Sequence, residues 1–135
     1  MLHSLDPPLA GGRILIVEDE YLIADDLAAS LRGCGADVVG PTATIEGARR
    51  LIDANSQLDV AVLDINLRDQ YVYPLVDRLR DAGVPVVFTT GYDAAVIPAQ
   101  YAGIPLCEKP VAIDQLVAEL QRLIRGGAPN AAVID

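Results

Sequence analysis

Acidic and basic side chains stand directly after several apolar runs of the chain. Glu18 and Asp19 follow one run, Asp64 closes another, and Lys109 follows the last. A hydroxyl residue, Thr90, stands at the end of a fourth run. Open α/β sheets bind their ligands at the carboxyl ends of their strands. If these runs are parallel strands of one sheet, the five side chains meet in one cleft at that edge.

Such a cleft could bind a divalent cation and react with phosphorus. Three carboxylates close together repel each other, and at least one takes up a proton unless a cation compensates. Mg²⁺ favours a site with few carboxylates and several waters. A carboxylate fixed beside Mg²⁺ can act as a nucleophile toward phosphorus. Lys109 and Thr90 could then bind phosphoryl oxygens.

Each of these residues also has an ordinary structural explanation when it is considered alone. Asp64 could cap a helix or lie in a solvated loop, and Lys109 could be a surface lysine. Glu18 and Asp19 could favour the positive N-terminus of the next helix, and Thr90 could be a turn residue. Their occurrence together at strand ends favours the chemical interpretation.

The spacing of apolar residues predicts strands that alternate with helices. Continuous apolar runs are typical of strands buried on both faces of a parallel sheet, and apolar residues three and four apart are typical of helices. Segment 91–103 contains Pro98 between two glycines, so we expect its helix, the fourth, to be short or mobile. Residues 66–71 are predicted to be a loop. The predicted strands span 13–17, 36–39, 58–64, 84–89 and 104–107, and the other predicted helices span 20–32, 45–54, 72–82 and 112–125.

This alternation predicts an α/β domain. Parallel strands joined by right-handed helical crossovers give three α/β/α layers around a five-stranded parallel sheet. A chain of 135 residues suits a single core. We expect a flexible N-terminal tail (1–12), one domain (13–125) and a C-terminal tail (126–135).

Charge and composition exclude several classes of function. The formal net charge of −9 disfavours binding to nucleic acid phosphates. No apolar run approaches the roughly 18 residues that span a bilayer, and the N-terminus does not look like a signal peptide. Two cysteines do not make a disulfide framework, and a single histidine argues against a zinc site. We therefore expect a cytoplasmic protein that binds neither nucleic acid nor a membrane.

As a set, four stretches of the sequence resemble the receiver domains of two-component response regulators. They are Ile14-Leu-Ile-Val-Glu-Asp19, Val62-Leu-Asp-Ile-Asn-Leu67, Thr89-Thr90-Gly91 and Glu108-Lys-Pro110. The resemblance covers nearly the whole chain, and it implies a flavodoxin-like order of strands and helices.

The resemblance also implies a role for each site residue. Asp64 would accept a phosphoryl group from a phosphohistidine of a kinase, and Thr90 would be the switch hydroxyl that moves toward this group. Lys109 would bridge to the phosphoryl group, and the Lys109-Pro110 peptide bond would be cis. The implied ligands of Mg²⁺ are Asp64, Asp19 directly, Glu18 mainly through water, and the backbone carbonyl of Asn66.

Two features of the sequence differ from the usual receiver pattern and indicate a subgroup of the family. Receivers usually carry Tyr or Phe three residues before the lysine, and Leu106 stands there instead. The stretch Phe88-Thr-Thr-Gly-Tyr92 looks like the Phe-Ala-Thr-Gly-Tyr signature of the receiver subgroup called FAT GUY, with Thr89 in place of Ala. Members of that subgroup are often stand-alone receivers that histidine kinases of the HWE or a related type phosphorylate. Tyr92 could pack over segment 91–103 or take over signalling work from the missing aromatic.

These observations predict a stand-alone receiver in a phosphorelay. It would be a signalling domain rather than an enzyme, with only self-catalysed phosphotransfer and dephosphorylation. We expect a sensor histidine kinase or a phosphotransfer protein as phosphodonor, a downstream protein at the face of residues 91–125, and a monomeric chain. The domain would either pass a signal onward or act as a phosphate sink that drains a shared kinase. The alternative is a Mg²⁺-dependent phosphohydrolase of the haloacid dehalogenase type, which places its nucleophile in an Asp-x-Asp pair after the first strand. Here the first strand ends in Glu18-Asp-Glu20, and Asn66 stands two residues after Asp64.

Overall fold

Strands and helices alternate along the described part of the chain. The computed structural model describes residues 6–68, 70–91 and 97–126. The helices are α1 (Tyr21–Gly33), α2 (Ile45–Ala54), α3 (Tyr73–Asp81), α4 (Ile113–Gly126) and a short 3-10 helix (Ala99–Tyr101). The strands are β1 (Arg13–Val17), β2 (Asp37–Thr42), β3 (Val60–Asp64), β4 (Asn66–Leu67), β5 (Gln70–Tyr71), β6 (Val86–Thr90) and β7 (Leu106–Glu108).

Five of the strands form one parallel sheet in the order β2-β1-β3-β6-β7. All residues of β3 and β6 are buried, because helices cover both faces of the sheet. Alternate strand residues point to opposite faces. Leu63 and Phe88 pack in one core with residues of α2 and α3, whereas Val62 and Val87 pack in a second core with residues of α1 and α4. The predicted three-layer α/β/α fold is confirmed.

Local sequence explains where the helices begin. Thr44 precedes α2, and its Oγ1 accepts a hydrogen bond of 2.9 Å from the backbone N–H of Gly47, as helix-capping residues do. Pro74 lies in the first turn of α3, where its missing N–H costs no helical hydrogen bond. Each of the four α-helices lies within one residue of its predicted bounds. None of the described helices combines the length and the apolar character that crossing a membrane requires.

Three predicted strands begin two residues later than expected. β3, β6 and β7 begin at Val60, Val86 and Leu106. Pro85 and Pro105 directly precede the last two of these strands. Proline has no N–H to donate to a sheet, which explains why regular pairing starts only after it.

The prediction that the second strand ends at residue 39 is wrong, because β2 continues to Thr42. The register with β1 shifts between Leu15 and Val17, after which Val17 pairs with Thr42. Gly40 has a φ of +96, a conformation that glycine adopts without a steric penalty. The irregular backbone at Gly40 therefore interrupts the pairing without ending the strand.

The prediction of a loop over residues 66–71 is wrong for most of that segment. β4 and β5 pair as an antiparallel hairpin, with Asn66 opposite Tyr71 and Leu67 opposite Gln70. Arg68 follows β4 with a φ of +54, the left-handed backbone that tight two-residue hairpin turns use. This hairpin begins two residues after Asp64 and contributes to the site described below.

The connection between β6 and β7 contains the 3-10 helix Ala99–Tyr101, so a short helix is present in this predicted segment. Residues 92–96 lie outside the described part of the chain. The expectation of mobility over 91–103 and both roles considered for Tyr92 therefore remain predictions.

Residues 6–12 of the predicted N-terminal tail contact the rest of the domain. Leu9 is buried, and its N–H donates a hydrogen bond of 2.8 Å to the carbonyl of Cys34. Gln121 of α4 donates from Nε2 to the carbonyl of Pro8 at 3.0 Å. The division of the chain into 1–12, 13–125 and 126–135 remains a prediction.

Candidate functional site

The ends of the central strands bring the predicted site residues to one edge of the sheet. Glu18 directly follows β1, and Asp64 is the last residue of β3. Asp64 pairs in register with Thr89, the neighbour of Thr90 in β6. The backbone N–H of Lys109 donates a hydrogen bond of 2.8 Å to the carbonyl of Thr90. Strand pairing therefore fixes the backbone positions from which these side chains extend.

Three carboxylates converge at this edge. Glu18, Asp19 and Asp64 each contribute an oxygen, and these oxygens lie within 4.8 Å of one another. Oδ1 of Asp64 also accepts a hydrogen bond of 3.2 Å from the backbone N–H of Asn66. Hard divalent cations bind clusters of this kind, in which carboxylate oxygens stand close together. The donor set therefore fits Mg²⁺.

Lys109 lies between two of the three acids. Its Nζ lies 2.8 Å from Oε1 of Glu18 and 3.0 Å from Oδ2 of Asp64, and its side chain is only 15% exposed. Burial by itself lowers the pKa of the Lys109 ammonium, but the interactions with both carboxylates outweigh burial and raise the pKa above its usual value. Lys109 is therefore a permanent cation in the site. The Lys109-Pro110 peptide bond is cis, as the family resemblance implied.

Burial changes the protonation of Glu18. Burial raises its pKa from 4.5 to about 7, the charge of Asp64 adds to this increase, and Lys109 and the Glu20 N–H partly oppose it. Oε2 of Glu18 accepts a hydrogen bond of 3.0 Å from the Glu20 N–H. Near neutral pH a proton on Glu18 thus relieves part of the repulsion expected among the three acids.

A cleft opens beside these residues. Of the predicted site residues, Asp19, Asp64, Asn66 and Lys109 line the cleft. Glu18 and Thr90 are not among the lining residues, and both are buried. The other lining residues are Glu20, Ile23, Arg68, Gly91 and Pro110.

A second cation, which is not among the predicted site residues, lies at this site. Arg68 Nε lies 3.5 Å from Oδ2 of Asp19, and the Arg68 side chain lines the cleft. The sequence signal for it was a basic residue four positions after Asp64. A loop over residues 66–71 gives Arg68 no fixed place, whereas the hairpin holds it beside the acids.

An aromatic cluster adjoins the same hairpin. The rings of Tyr71 and Tyr73 stack with centroids 5.7 Å apart, and Tyr73 stacks on Tyr101 at 4.7 Å with an interplanar angle of 4°. Phe88 of β6 meets Tyr73 edge-on at 6.0 Å, and the hydroxyl of Tyr101 donates to Asp77 at 3.0 Å. None of these three tyrosines is among the site residues predicted from the sequence.

Comparison with known families matches most of the chain. The family described as "Response regulator receiver domain" matches residues 14–121. Sensory transduction protein RegX3 of Mycolicibacterium smegmatis is 34% identical over 125 residues, which cover 87% of this chain and 52% of RegX3. Phyllosphere-induced regulator PhyR of Methylorubrum extorquens is 37% identical over 81 residues, which cover 58% of this chain and 30% of PhyR. This chain thus spans about half the length of RegX3 and less of PhyR.

A solved structure matches over nearly its full length. The BeF3-activated conformation of SdrG from Pseudomonas melonis Fr1 is 33% identical with a TM-score of 0.72. The match covers 85% of this chain and 98% of SdrG. The two chains therefore share the same fold.

Proposed function

The chain belongs to the response regulator receiver domain family, and on that basis we propose that Asp64 accepts a phosphoryl group. Receiver domains are signalling domains that histidine kinases phosphorylate, and they interact with these kinases or with phosphotransfer proteins. The observation that carries the proposal is the ion cluster at the sheet edge. Lys109 contacts both Glu18 and Asp64, and Asp19 completes the group of three carboxylates.

The surroundings of Asp64 suit a nucleophile. Two hydrogen bonds fix the orientation of its carboxylate: the Asn66 N–H donates to Oδ1, and the Lys109 ammonium donates to Oδ2. In the proposed reaction a carboxylate oxygen attacks phosphorus and an O–P bond forms. The P–N bond to the histidine of the donor breaks, and the imidazole nitrogen retains the electron pair. Lys109 then binds an oxygen of the new acyl phosphate.

The proposed ligands of Mg²⁺ come from the same cluster. When bound, the ion would offset the negative charge of the carboxylates and of the phosphoryl oxygens. Glu18 is buried and does not line the cleft, which supports a mainly water-mediated role for its carboxylate. The proposed ligand set is Asp64, Asp19, the backbone carbonyl of Asn66, and Glu18 through water.

The proposed output is a protein contact or onward phosphotransfer. Phosphorylation adds about −1.5 to −2 charges at Asp64, and the Thr90 hydroxyl would move toward that charge. The resulting change would favour a second arrangement of the face formed by residues 91–125, and a downstream protein would bind to that face.

We also propose a stand-alone, monomeric, cytoplasmic receiver of the FAT GUY subgroup that an HWE-type kinase serves. The stretch Phe88-Thr-Thr-Gly-Tyr92 supports the subgroup. The resemblance to that subgroup, whose members are often stand-alone receivers, supports the stand-alone role. The haloacid dehalogenase alternative is not retained, because the receiver family matches residues 14–121.

The test is phosphorylation by a small phosphodonor. The purified chain is incubated with Mg²⁺ and acetyl phosphate and weighed intact by mass spectrometry. We expect a gain of one phosphoryl group, its loss in Asp64→Asn, and its retention in Asp53→Asn, which removes an acid that pairs with Arg78 away from the cleft. A gain that survives Asp64→Asn would contradict the assignment. If small phosphodonors add no phosphoryl group, phosphorylated HWE-type kinases are used in their place. A second failure to phosphorylate the chain would also count against the assignment of Asp64.

A further inference from the structure

Arg68 is a cation at the rim of the cleft that the proposed reaction does not use. Its Nε lies 3.5 Å from Oδ2 of Asp19. The Arg68 side chain is 79% exposed, whereas that of Asp19 is 11% exposed. Arg68 also has a φ of +54, which is uncommon for residues other than glycine and occurs at turns and functional sites.

We propose that Arg68 and Mg²⁺ compete for the carboxylate of Asp19, and that Arg68 thereby sets the Mg²⁺ concentration at which the domain is phosphorylated. Arg68 is then a positioning residue that acts through Asp19. This inference rests on the proposed function, because it concerns the same metal site.

The distribution of charge explains why the competition concerns Asp19. Lys109 contacts Glu18 and Asp64 and is itself largely buried, so these two acids share one cation. Asp19 pairs with Arg68 instead. A guanidinium stays charged at every working pH, so its hold on Asp19 does not relax near neutrality. Mg²⁺ must overcome that attraction, which lowers its apparent affinity.

The hairpin explains how Arg68 can both reach Asp19 and leave it. Leu67, the residue before Arg68, is buried, and the Asn66 N–H is bonded to Asp64. The backbone of β4 is therefore fixed to the core and to the site. The Arg68 side chain is mostly solvated, so it can turn outward when Mg²⁺ takes its place at Asp19.

The test is a titration of the full chain with Mg²⁺, monitored by NMR on isotope-labelled wild type and on three variants. Arg68→Asn removes the guanidinium and tolerates a left-handed backbone. Arg68→Lys keeps the charge but loses the guanidinium fork. Arg78→Ala is the matched control, since Arg78 forms an exposed ion pair with Asp53 outside the cleft.

We expect Arg68→Asn to bind Mg²⁺ about two- to fivefold more tightly than wild type at low salt, the range expected for losing an exposed ion pair. Arg68→Lys should bind with an affinity closer to that of wild type, and Arg78→Ala should not change the affinity. The difference between Arg68→Asn and wild type should shrink in high salt, because an exposed pair is screened. The Nε–H signal of Arg68 should shift as Mg²⁺ saturates wild type.

Several outcomes separate this inference from the proposed function. If wild type binds Mg²⁺ and Arg68→Asn binds no more tightly, the competition is wrong and the metal site stands. If Arg78→Ala tightens binding as much as Arg68→Asn, net charge is the cause and the role of Arg68 is also wrong. If wild type shows no Mg²⁺-dependent shifts around Asp19 and Asp64, the metal site is wrong, and the competition with it.

Discussion

The inner and the outer part of the site use the same kind of interaction in different surroundings. In the inner part, the Lys109 ammonium is 15% exposed, and the side chains of Glu18 and Asp64 are 1% and 6% exposed. In the outer part, Arg68 is 79% exposed where it meets Asp19. Buried ion pairs are costly to break, because a charge is left without a partner. Exposed pairs contribute little and are screened by salt.

This difference indicates a division of roles. The inner residues extend from the ends of β1, β3 and the segment after β7, whose backbones are fixed by sheet pairing. They hold the proposed nucleophile, Asp64, in place. Arg68 extends from a hairpin of two-residue strands and can change partner at low cost. We therefore propose that phosphoryl transfer depends on the inner part and that Arg68, in the outer part, lowers the affinity for Mg²⁺.

Removal of the inner cation should have the largest effect. We expect Lys109→Met to lower the free energy of unfolding by about 2–3 kcal/mol at pH 8, somewhat less than the loss from breaking a fully buried pair. The loss is reduced because Glu18 can take up a proton. The cost should be smaller at pH 6, where Glu18, with its pKa of about 7, is largely protonated.

Urea unfolding of wild type and of Lys109→Met at pH 6 and pH 8 measures the loss of stability. The control is Arg78→Ala, which breaks an exposed pair and should cost less than about 1 kcal/mol at either pH. A similar cost for the two variants at pH 8 would remove the distinction between inner and outer pairs.

The raised pKa of Glu18 should make Mg²⁺ binding depend on pH. Mg²⁺ favours the ionised carboxylate, so it competes with the proton. With a pKa of about 7, one-proton linkage predicts about a tenfold increase in affinity from pH 6 to pH 8. Calorimetric titration measures this change, and Glu18→Gln should bind with little dependence on pH. A wild-type affinity that is flat over this range would mean that Glu18 does not exchange its proton on binding.

A rise in pH has the opposite effect on folding stability: it strengthens Mg²⁺ binding but reduces the contribution of Glu18 to stability. The pKa of Glu18 is higher in the folded protein than its ordinary value of 4.5. Between about pH 4.5 and pH 7 the folded state therefore binds more protons than the unfolded state. The contribution of Glu18 to stability is full below this window, and it is lost as the pH rises through the window.

Double-mutant cycles should give the smallest effect for the outer pair. We expect a coupling free energy of about 0.2–1 kcal/mol between Asp19 and Arg68, from Asp19→Asn, Arg68→Asn and the double variant. The cycle that joins Glu18→Gln and Lys109→Met should give a larger coupling at pH 8. Equal couplings in the two cycles would contradict the comparison, and added salt should reduce only the outer one.

The inner part of the site was predictable from sequence because each of its residues ends a strand or directly follows one. A parallel sheet brings the carboxyl ends of its strands to one edge, so apolar runs that end in Glu18, Asp64 and near Lys109 already imply proximity. The α/β alternation and the four α-helices followed from the periodicity of apolar residues. These features depend on local sequence and on a few rules of chain connection.

The remaining features depend on contacts that local sequence does not encode. Arg68 reaches Asp19 only because the two-residue strands of the hairpin turn the chain back. Tyr101 is buried by stacking on Tyr73, 28 positions earlier in the chain. β2 passes Gly40 because pairing with β1 resumes at Thr42. In each case a tertiary contact overrides a local signal.

The central claim is that Asp64 carries the phosphoryl group, and locating that group tests the claim most directly. Borohydride reduces the acyl phosphate of an aspartate to the alcohol of homoserine. The phosphorylated chain is therefore reduced, digested and sequenced by mass spectrometry. We expect homoserine at position 64 and unchanged aspartate at position 19. Homoserine at another position, with Asp64 intact, would contradict the account.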